Sequence, residues 1–421
     1  MPMMIRYSTF VFSTVLLAVN ATVGSECLIA GDWPQILGPD RNGIARDEQL
    51  AESWPAKGPR QVWEARIGSG FAGVVVSGED LVLFHREENE DKLTAFDAKT
   101  GKRRWSTSFS TRFQAQIVED DGPRSTPTIH DGLIYAYSAE GNLYCVELKS
   151  GDKKWTRHTH ADFGATGGYF GAGSSPIVEG SLVIVNVGGD RKQAGIVAFH
   201  TDSGETAWTA VNDQASYSAP IAVTLGNSRH LLCITRMNFY SLDPQTGKER
   251  FHTPFGARGP TVNAALPVIM GNHALLTASY GVGSEWLTLG DNQVAITWKN
   301  TLLSSQYTTP ITSDGLVYGI DGRQDGGPIA LKCINPQTEE VLWSQQGMKY
   351  ATLIGANKQL LIMQTDGILR MARLSKEGYD EIASASLLSG TTRALPALSH
   401  GMIYVRNESK LVCVDLSPQQ K

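Results

Sequence analysis

Short apolar runs rich in β-branched and aromatic residues recur along the chain, each bounded by Gly, Asp or Asn. Leu133-Ile134-Tyr135-Ala136-Tyr137 and Leu316-Val317-Tyr318-Gly319-Ile320 are two of them. Each follows a shorter run set behind a proline, as in Thr126-Pro127-Thr128-Ile129, Ser175-Pro176-Ile177-Val178, Ala219-Pro220-Ile221-Ala222, Thr309-Pro310-Ile311-Thr312 and Leu395-Pro396-Ala397-Leu398. A third run comes next, such as Asn142-Leu143-Tyr144-Cys145-Val146-Glu147, and a Thr-Gly or Ser-Gly turn then leads into a fourth that carries Trp. These spacings predict strands joined by hairpins. The Thr-Gly position suits a type I turn closed by Gly in the left-handed region. No long segment shows helical periodicity. Four antiparallel strands per unit, repeated, make a β-propeller blade.

The turn and the aromatic residue keep one register. An acidic or polar residue is followed four residues later by Gly and four after that by Trp: Asp97, Gly101, Trp105; Glu147, Gly151, Trp155; His200, Gly204, Trp208; Asp243, Gly247, Phe251. A worn copy reads Asn335, Glu339, Trp343. The anchors Trp63, Trp105, Trp155, Trp208, Phe251, Trp298 and Trp343 lie 42, 50, 53, 43, 47 and 45 residues apart. A degenerate eighth is expected near Leu388, in a Trp-less blade starting near Tyr350. Trp63 stands in Gln61-Val62-Trp63-Glu64-Ala65 with no blade before it. The N-terminal strand is therefore expected to complete the last blade, whose own unit from Leu395 to Leu416 has three strands. Such closure removes free sheet edges. The expectation is an all-β, eight-bladed propeller of four-stranded antiparallel blades, with seven blades as the alternative. It divides the chain into a signal segment (1–25), an N-terminal extension (26–58) and the propeller (59–418).

The N-terminus adds a compartment. Arg6, the apolar stretch Phe10 to Val19, and the small residues Ala21, Gly24 and Ser25 form a secretory signal pattern, too short for a comfortable membrane span. Cys27 follows Glu26, a poor context for lipidation. The net charge is −5 and there is no basic tract, which points away from nucleic acid. Of five cysteines, Cys145, Cys333 and Cys413 share one repeat position two residues before the register residue. They belong to separate blades, too far apart to bridge, and read as small buried strand residues.

Several constellations could carry chemistry. Gly68-Ser69-Gly70-Phe71-Ala72-Gly73 fits GxGxxG, but a strand follows it where a dinucleotide site needs a helix, so it reads as a loop entering the first blade. His158-Thr159-His160-Ala161-Asp162 is the densest group of metal-ligand types. In an extended chain both His would share a face, yet no third convergent ligand is visible, and a solvated loop explains it. No GxSxG elbow is present. The positions just before the innermost strands are more informative. Arg124, Tyr217, Tyr307 and Arg393 occupy or adjoin corresponding places there, and Asn263 and the run Gly167-Gly168-Tyr169-Phe170-Gly171 join them. Arg and Tyr converging on a channel mouth suit a small acidic ligand or a peptide carboxylate. The alternative is that they fill the channel and brace neighbouring blades.

The stretch Ala95 to Trp105, AxDxxTGKxxW, resembles the tryptophan-docking repeat of the quinoprotein (PQQ) propellers. Trp33-Pro34-Gln35-Ile36-Leu37-Gly38-Pro39-Asp40-Arg41-Asn42-Gly43, with Gly122-Pro123-Arg124-Ser125-Thr126-Pro127 and Gly173-Ser174-Ser175-Pro176, resembles exported bacterial PQQ-like repeat proteins of the BamB-like type. The resemblance implies that the Trp of one blade stacks on the next blade. It leaves two functional outcomes. Quinoprotein dehydrogenases hold PQQ and Ca²⁺ with an adjacent-Cys disulfide, acidic and amide ligands and an Asp base. This chain has no adjacent Cys pair, and no catalytic, cofactor or metal residue carries over. The other outcome is a non-catalytic scaffold. The expectation is therefore an exported, periplasmic or envelope propeller, of one subunit, that binds envelope proteins or peptides. A PQQ-dependent oxidoreductase and a periplasmic small-ligand or peptide binder are the alternatives.

Overall fold

A computed structural model describes residues 1, 31–117, 120–259 and 261–418. The signal segment and Cys27 lie outside them. Among the described residues there are eight sheets, each built on four antiparallel blade strands, and one of them carries a fifth strand that pairs in parallel. Blade one comprises Val74–Ser77, Asp80–Glu87, Glu90–Asp97 and Arg103–Ser110 from the axis outwards. The innermost strands of blades two to seven begin at Thr128, Ile177, Ile221, Val268, Ile311 and Ala351. Blade eight is Ala397–Ser399, Met402–Arg406 and Lys410–Asp415, closed on the outside by Arg60–Arg66. The ring has eight blades, and the N-terminal strand closes it as the sequence predicts.

Burial follows from blades packing face to face. Second strands are covered on both sides, so Leu182–Gly189 is buried at every position and is apolar except at Asn186. Outer strands face solvent and alternate, as in Glu340–Gln346. Prolines precede the innermost strands because a strand's first residue can lack an N–H without breaking a ladder.

The register has a physical reading. Asp97 Oδ1 accepts from the Thr100 amide (2.9 Å) and hydroxyl (2.8 Å), which shapes the turn. Asp243 does the same for Thr246. The carbonyl one residue on accepts from the indole of the preceding blade: Trp63 Nε1 donates to Ala98 O (2.9 Å), Trp105 to Leu148 O (2.9 Å) and Trp208 to Pro244 O (3.1 Å). The turn glycine lies under that indole. A Cβ added to Gly101, Gly151, Gly204 or Gly247 would stand 2.5–2.7 Å from the Trp ring of the preceding blade. The worn copy holds Glu339 at φ 58° where the others have Gly.

Gly151 and Gly132 separate the two demands on such a glycine. Both have positive φ, 79° and 72°, but only Gly151 faces a ring; a Cβ added at Gly132 would meet nothing within 4 Å. Gly132→Ala should cost about 1 kcal/mol from backbone strain alone. Gly151→Ala should add about 1–3 kcal/mol of overpacking. Urea midpoints of the two variants check this, and equal midpoints would refute the ring contact as the reason for glycine.

The eighth anchor differs from the expectation. Each outer strand carries one register shift next to its anchor, and in blade seven that shift places Ala383 opposite Met371. Leu388 lies beyond the outer strand Asp380–Ser386. The equivalent position has no aromatic ring, so the sequence offered nothing to mark it. Cys145, Cys333 and Cys413 do hold one repeat position: each lies directly opposite an anchor, Trp155, Trp343 and Trp63 respectively, and is fully buried and free.

Residues 31–58 run across the C-terminal ends of the innermost strands as a strap. Trp33 exchanges two backbone bonds with Val76 of blade one, and Pro34 O accepts from Ile129 of blade two. Arg41 reaches Ser175 and Pro176 of blade three. Leu37 joins the core of Ala219, Ile221 and Leu266 under blades four and five. Gly43 approaches Ile311 of blade six, and Ile44–Ala45 pairs in parallel with Gly355 and Ala356 of blade seven. Glu48 accepts from the amides of His400 (2.7 Å) and Gly401 (2.6 Å) in blade eight. One mouth of the channel is therefore roofed by the chain itself. The other, at the N-terminal ends of the innermost strands, is the mouth to which the sequence assigns its candidate residues.

Candidate functional site

The six candidates fall into two groups at that mouth. Tyr169, Tyr217 and Asn263 line an off-axis cavity of about 470 Å³ together with Asn186, Arg236 and Arg258. Arg124 and Arg393 gather instead on Phe71, and Tyr307 joins Arg393 through Gln324.

The cavity is built by connectors that precede the innermost strands of blades three, four and five. Tyr217 is the pillar. Its hydroxyl accepts from the Phe170 amide (3.0 Å), and its own amide donates to Asn263 O (3.0 Å). A Cβ on Gly168 or Gly173 would meet the Tyr217 side chain at 3.1 or 2.9 Å. The glycine run is thus needed to fold over this ring. Burial pushes the phenol pKa of Tyr217 up, so it stays a neutral hydrogen-bonding group. Tyr169 remains 40% exposed at the rim.

Two asparagines supply the polarity. Asn263 Nδ2 donates to Thr235 O and Arg236 O (both 3.2 Å), and Asn186 Nδ2 donates to Ile234 O (3.0 Å). Those carbonyls fix both amides, because a flipped amide would set oxygen against oxygen. The side-chain carbonyls Asn186 Oδ1 and Asn263 Oδ1 are buried and lack a partner. A buried acceptor without a donor costs about 1–3 kcal/mol, and a ligand N–H or O–H entering the cavity would remove that cost. Arg236 is held by Thr261 (2.7 Å) and Gly259 O.

The second group is braced. Phe71 comes from the glycine loop 68–73, which is followed by the strand Val74–Ser77 and not by a helix. The Arg124 and Arg393 guanidinium carbons lie 5.8 and 5.2 Å from its ring centre, within cation–π range. Arg124 also donates to Gly122 O and Asp120 O (2.6 Å). Arg393 Nε and the Tyr307 hydroxyl both donate to Gln324 Oε1 (2.7 Å each). Phe71 and Gln324 carry no repeat signature, so sequence reasoning passed over them. The one visible hint was an aromatic residue inside a glycine loop.

The histidine cluster does not form an extended ligand strip. Thr159–Phe163 is a short helix. His158 bonds Asn142 Oδ1 (2.8 Å), His160 sits edge-on to Tyr137, and Asp162 pairs with Arg157 (2.9 Å). Local hydrogen bonds turned the chain, and the three side chains went to separate partners.

The profile of the family described as outer membrane protein assembly factor BamB matches residues 53–186 and 121–345, together more than half of the chain. The chain belongs to that family. BamB of Burkholderia pseudomallei is 22% identical to it over 284 residues, which covers 56% of this chain and 70% of that protein. A second kind of relative shares the repeats. The quinohemoprotein alcohol dehydrogenase ADH-IIG of Pseudomonas putida is 28% identical over 116 residues, 27% of this chain and 16% of that protein. Among solved structures, BamB from Moraxella catarrhalis superposes with a TM-score of 0.64 at 15% identity, covering 85% of this chain and 99% of that one; this likeness is one of fold.

The quinoprotein resemblance implies a quinone and calcium set with an adjacent-Cys disulfide, and the sequence of this BamB-family chain has no adjacent Cys pair. The described residues contain no group of three or more His, Cys, Asp or Glu placed to hold a metal ion. The four described cysteines are free and buried. No helix among the described residues is long and apolar enough to cross a membrane.

Proposed function

We propose that this protein is an exported, non-catalytic scaffold of envelope assembly that docks an extended segment of a partner protein at the open mouth. The observation that carries this reading is the pair of fixed, unpartnered acceptors Asn186 Oδ1 and Asn263 Oδ1 in a cavity rimmed by Tyr169 and Arg258. A peptide backbone presents donors at the spacing of main-chain amides, and an aromatic rim residue gives contact area at small entropic cost. The similarity to proteins named as outer membrane assembly factors supports the same reading. A photo-crosslinking residue at Tyr169 should capture one discrete envelope protein in cells, and one at exposed Leu342 should not. Arg258→Glu should lower that yield roughly tenfold, about 1.4 kcal/mol. Identical patterns from both positions would overturn the reading.

A second reading, a quinoprotein-type oxidoreductase, rests on the quinohemoprotein relative. Its test is addition of PQQ and Ca²⁺ to the purified chain. A stoichiometric quinone absorbance band with dye-linked alcohol oxidation would establish it and displace the scaffold.

A further inference from the structure

The roofed mouth holds a different chemistry. A chamber of about 580 Å³ lies between the strap and the innermost strands of blades two to six, and Gln35, Arg41, Asn42, Thr128 and Thr312 help line it. Arg41 is 4% exposed, a guanidinium carried into the ring by the strap. Its Nη1 donates to Gln35 Oε1 (2.8 Å) and Pro176 O (2.9 Å), and its Nη2 donates to Ser175 O (3.2 Å). Its Nε–H, also buried, has no partner.

No carboxylate answers this charge among the described residues. Asp40 pairs with Arg46, and Glu179 takes Arg229 in a fork of 2.7 and 2.9 Å. His130 lies 3.4 Å from Asp131. Neutral carbonyls offset part of the loss of hydration, but a buried cation without a counter-charge is costly. Burial accordingly draws the Arg41 pKa down to about 9. The donors left over are not scattered. Nε–H and the second Nη2 hydrogen belong to the Nε–Nη2 side of the guanidinium, the side that grips two oxygens of an oxyanion at once.

We infer that this chamber is a binding site for a small oxyanion, a carboxylate or a phosphate, taken side-on by Arg41 beneath the N-terminal strap. The site is on the opposite mouth from the docking cavity and stands whether or not that cavity binds a partner. Its ligand would supply the missing counter-charge and tie the strap to blade three.

The full chain, titrated calorimetrically with sodium phosphate and with sodium succinate at constant ionic strength in sodium chloride, should bind one or both saturably with one site per chain. Phosphate alone, succinate alone or both would each support the site and name its ligand class. Arg41→Lys keeps the charge but loses the side-on edge and should weaken binding at least tenfold. Arg41→Gln should abolish it. Glu48→Gln loosens the strap at blade eight and leaves Arg41 in place, so it should bind within about threefold of the parent. Absence of saturable binding by both anions, or equal affinity in Arg41→Lys, would overturn the inference. Circular dichroism melts of each variant show that the ring is folded; if Arg41→Gln does not fold, the Arg41→Lys comparison decides.

Discussion

Trp63→Ala should destabilise the protein by about 3–5 kcal/mol, more than the same change at any half-buried anchor. Trp63 is 8% exposed and sits on Arg60–Arg66, the strand that joins the N-terminal chain to the last blade. Its indole covers Gly101 of blade one and donates to Ala98 O. Its ring also lies 5.9 Å from that of Tyr404 in blade eight, and the Tyr404 hydroxyl reaches the same carbonyl (3.2 Å). One side chain thus holds both sides of the seam. Its truncation leaves a cavity beside the pairing of Arg60–Arg66 with Lys410–Asp415, where the N-terminal and C-terminal parts of the chain meet within blade eight. Trp343 makes the equivalent bond to Ser375 O (2.9 Å) between blades six and seven, but is only half-buried and lies in a blade made from one stretch of chain. Trp343→Ala should cost about half as much, since less apolar area leaves water there. Denaturant midpoints of the two variants, read by intrinsic fluorescence and by circular dichroism, measure the difference. Equal losses would mean that the seam carries no more than any other blade interface.

The sequence exposed what is repeated. Asp97, Gly101 and Trp105 can be read together because one physical device, a turn under an indole, recurs at a fixed spacing. Trp63 was legible as a closing strand because the count left it without a blade. The eighth anchor was not, because Ala383 has no ring and only the register shift beside Met371 marks it. The strap was invisible for the opposite reason. Its residues meet eight blades by dissimilar contacts, a guanidinium at Arg41, a carboxylate at Glu48 and a leucine at Leu37, and no period runs through them.

The mouth was legible as a place more than as a site. Position before each innermost strand put Arg124, Tyr169, Tyr217, Asn263, Tyr307 and Arg393 on one face. It could not say that Arg124 and Arg393 would close on Phe71, or that Asn186, from the middle of a buried strand, would help line the cavity. Those facts depend on which neighbour takes each donor. That is decided across blades, at separations such as the 48 residues between Asn186 and Ile234.

Asp91→Asn should stabilise the protein at pH 8 by a few kcal/mol and change little at pH 4. Asp91 is 2% exposed in Glu90–Asp97, opposite Arg86 in the sheet. Burial raises its carboxyl pKa from 3.8 to about 7; Arg86 opposes this and Glu140 adds to it. Arg86 is a weak counterweight because its guanidinium donates to the carbonyls of Glu88 (2.8 Å), Phe113 (2.7 Å) and Asp121 (3.1 Å). The folded chain therefore binds a proton at Asp91 that the unfolded chain has released. Stability from this group is complete below the unfolded value near 4 and is lost as pH rises through about 7. The shift corresponds to on the order of 4 kcal/mol at most. An amide at this position carries no such penalty and keeps the shape. His85 and His160 work in the other direction. Burial presses both to about 4, so each weakens the fold as pH falls from 6.5 through 4. Both histidines are shared by parent and variant, so the difference between their stability curves isolates Asp91. That difference, from urea midpoints at half-unit steps, should be near zero at pH 4 and rise to a plateau above pH 7. Parallel curves across the range would show that Asp91 is ionised in the folded protein and that its charge is met by groups around it.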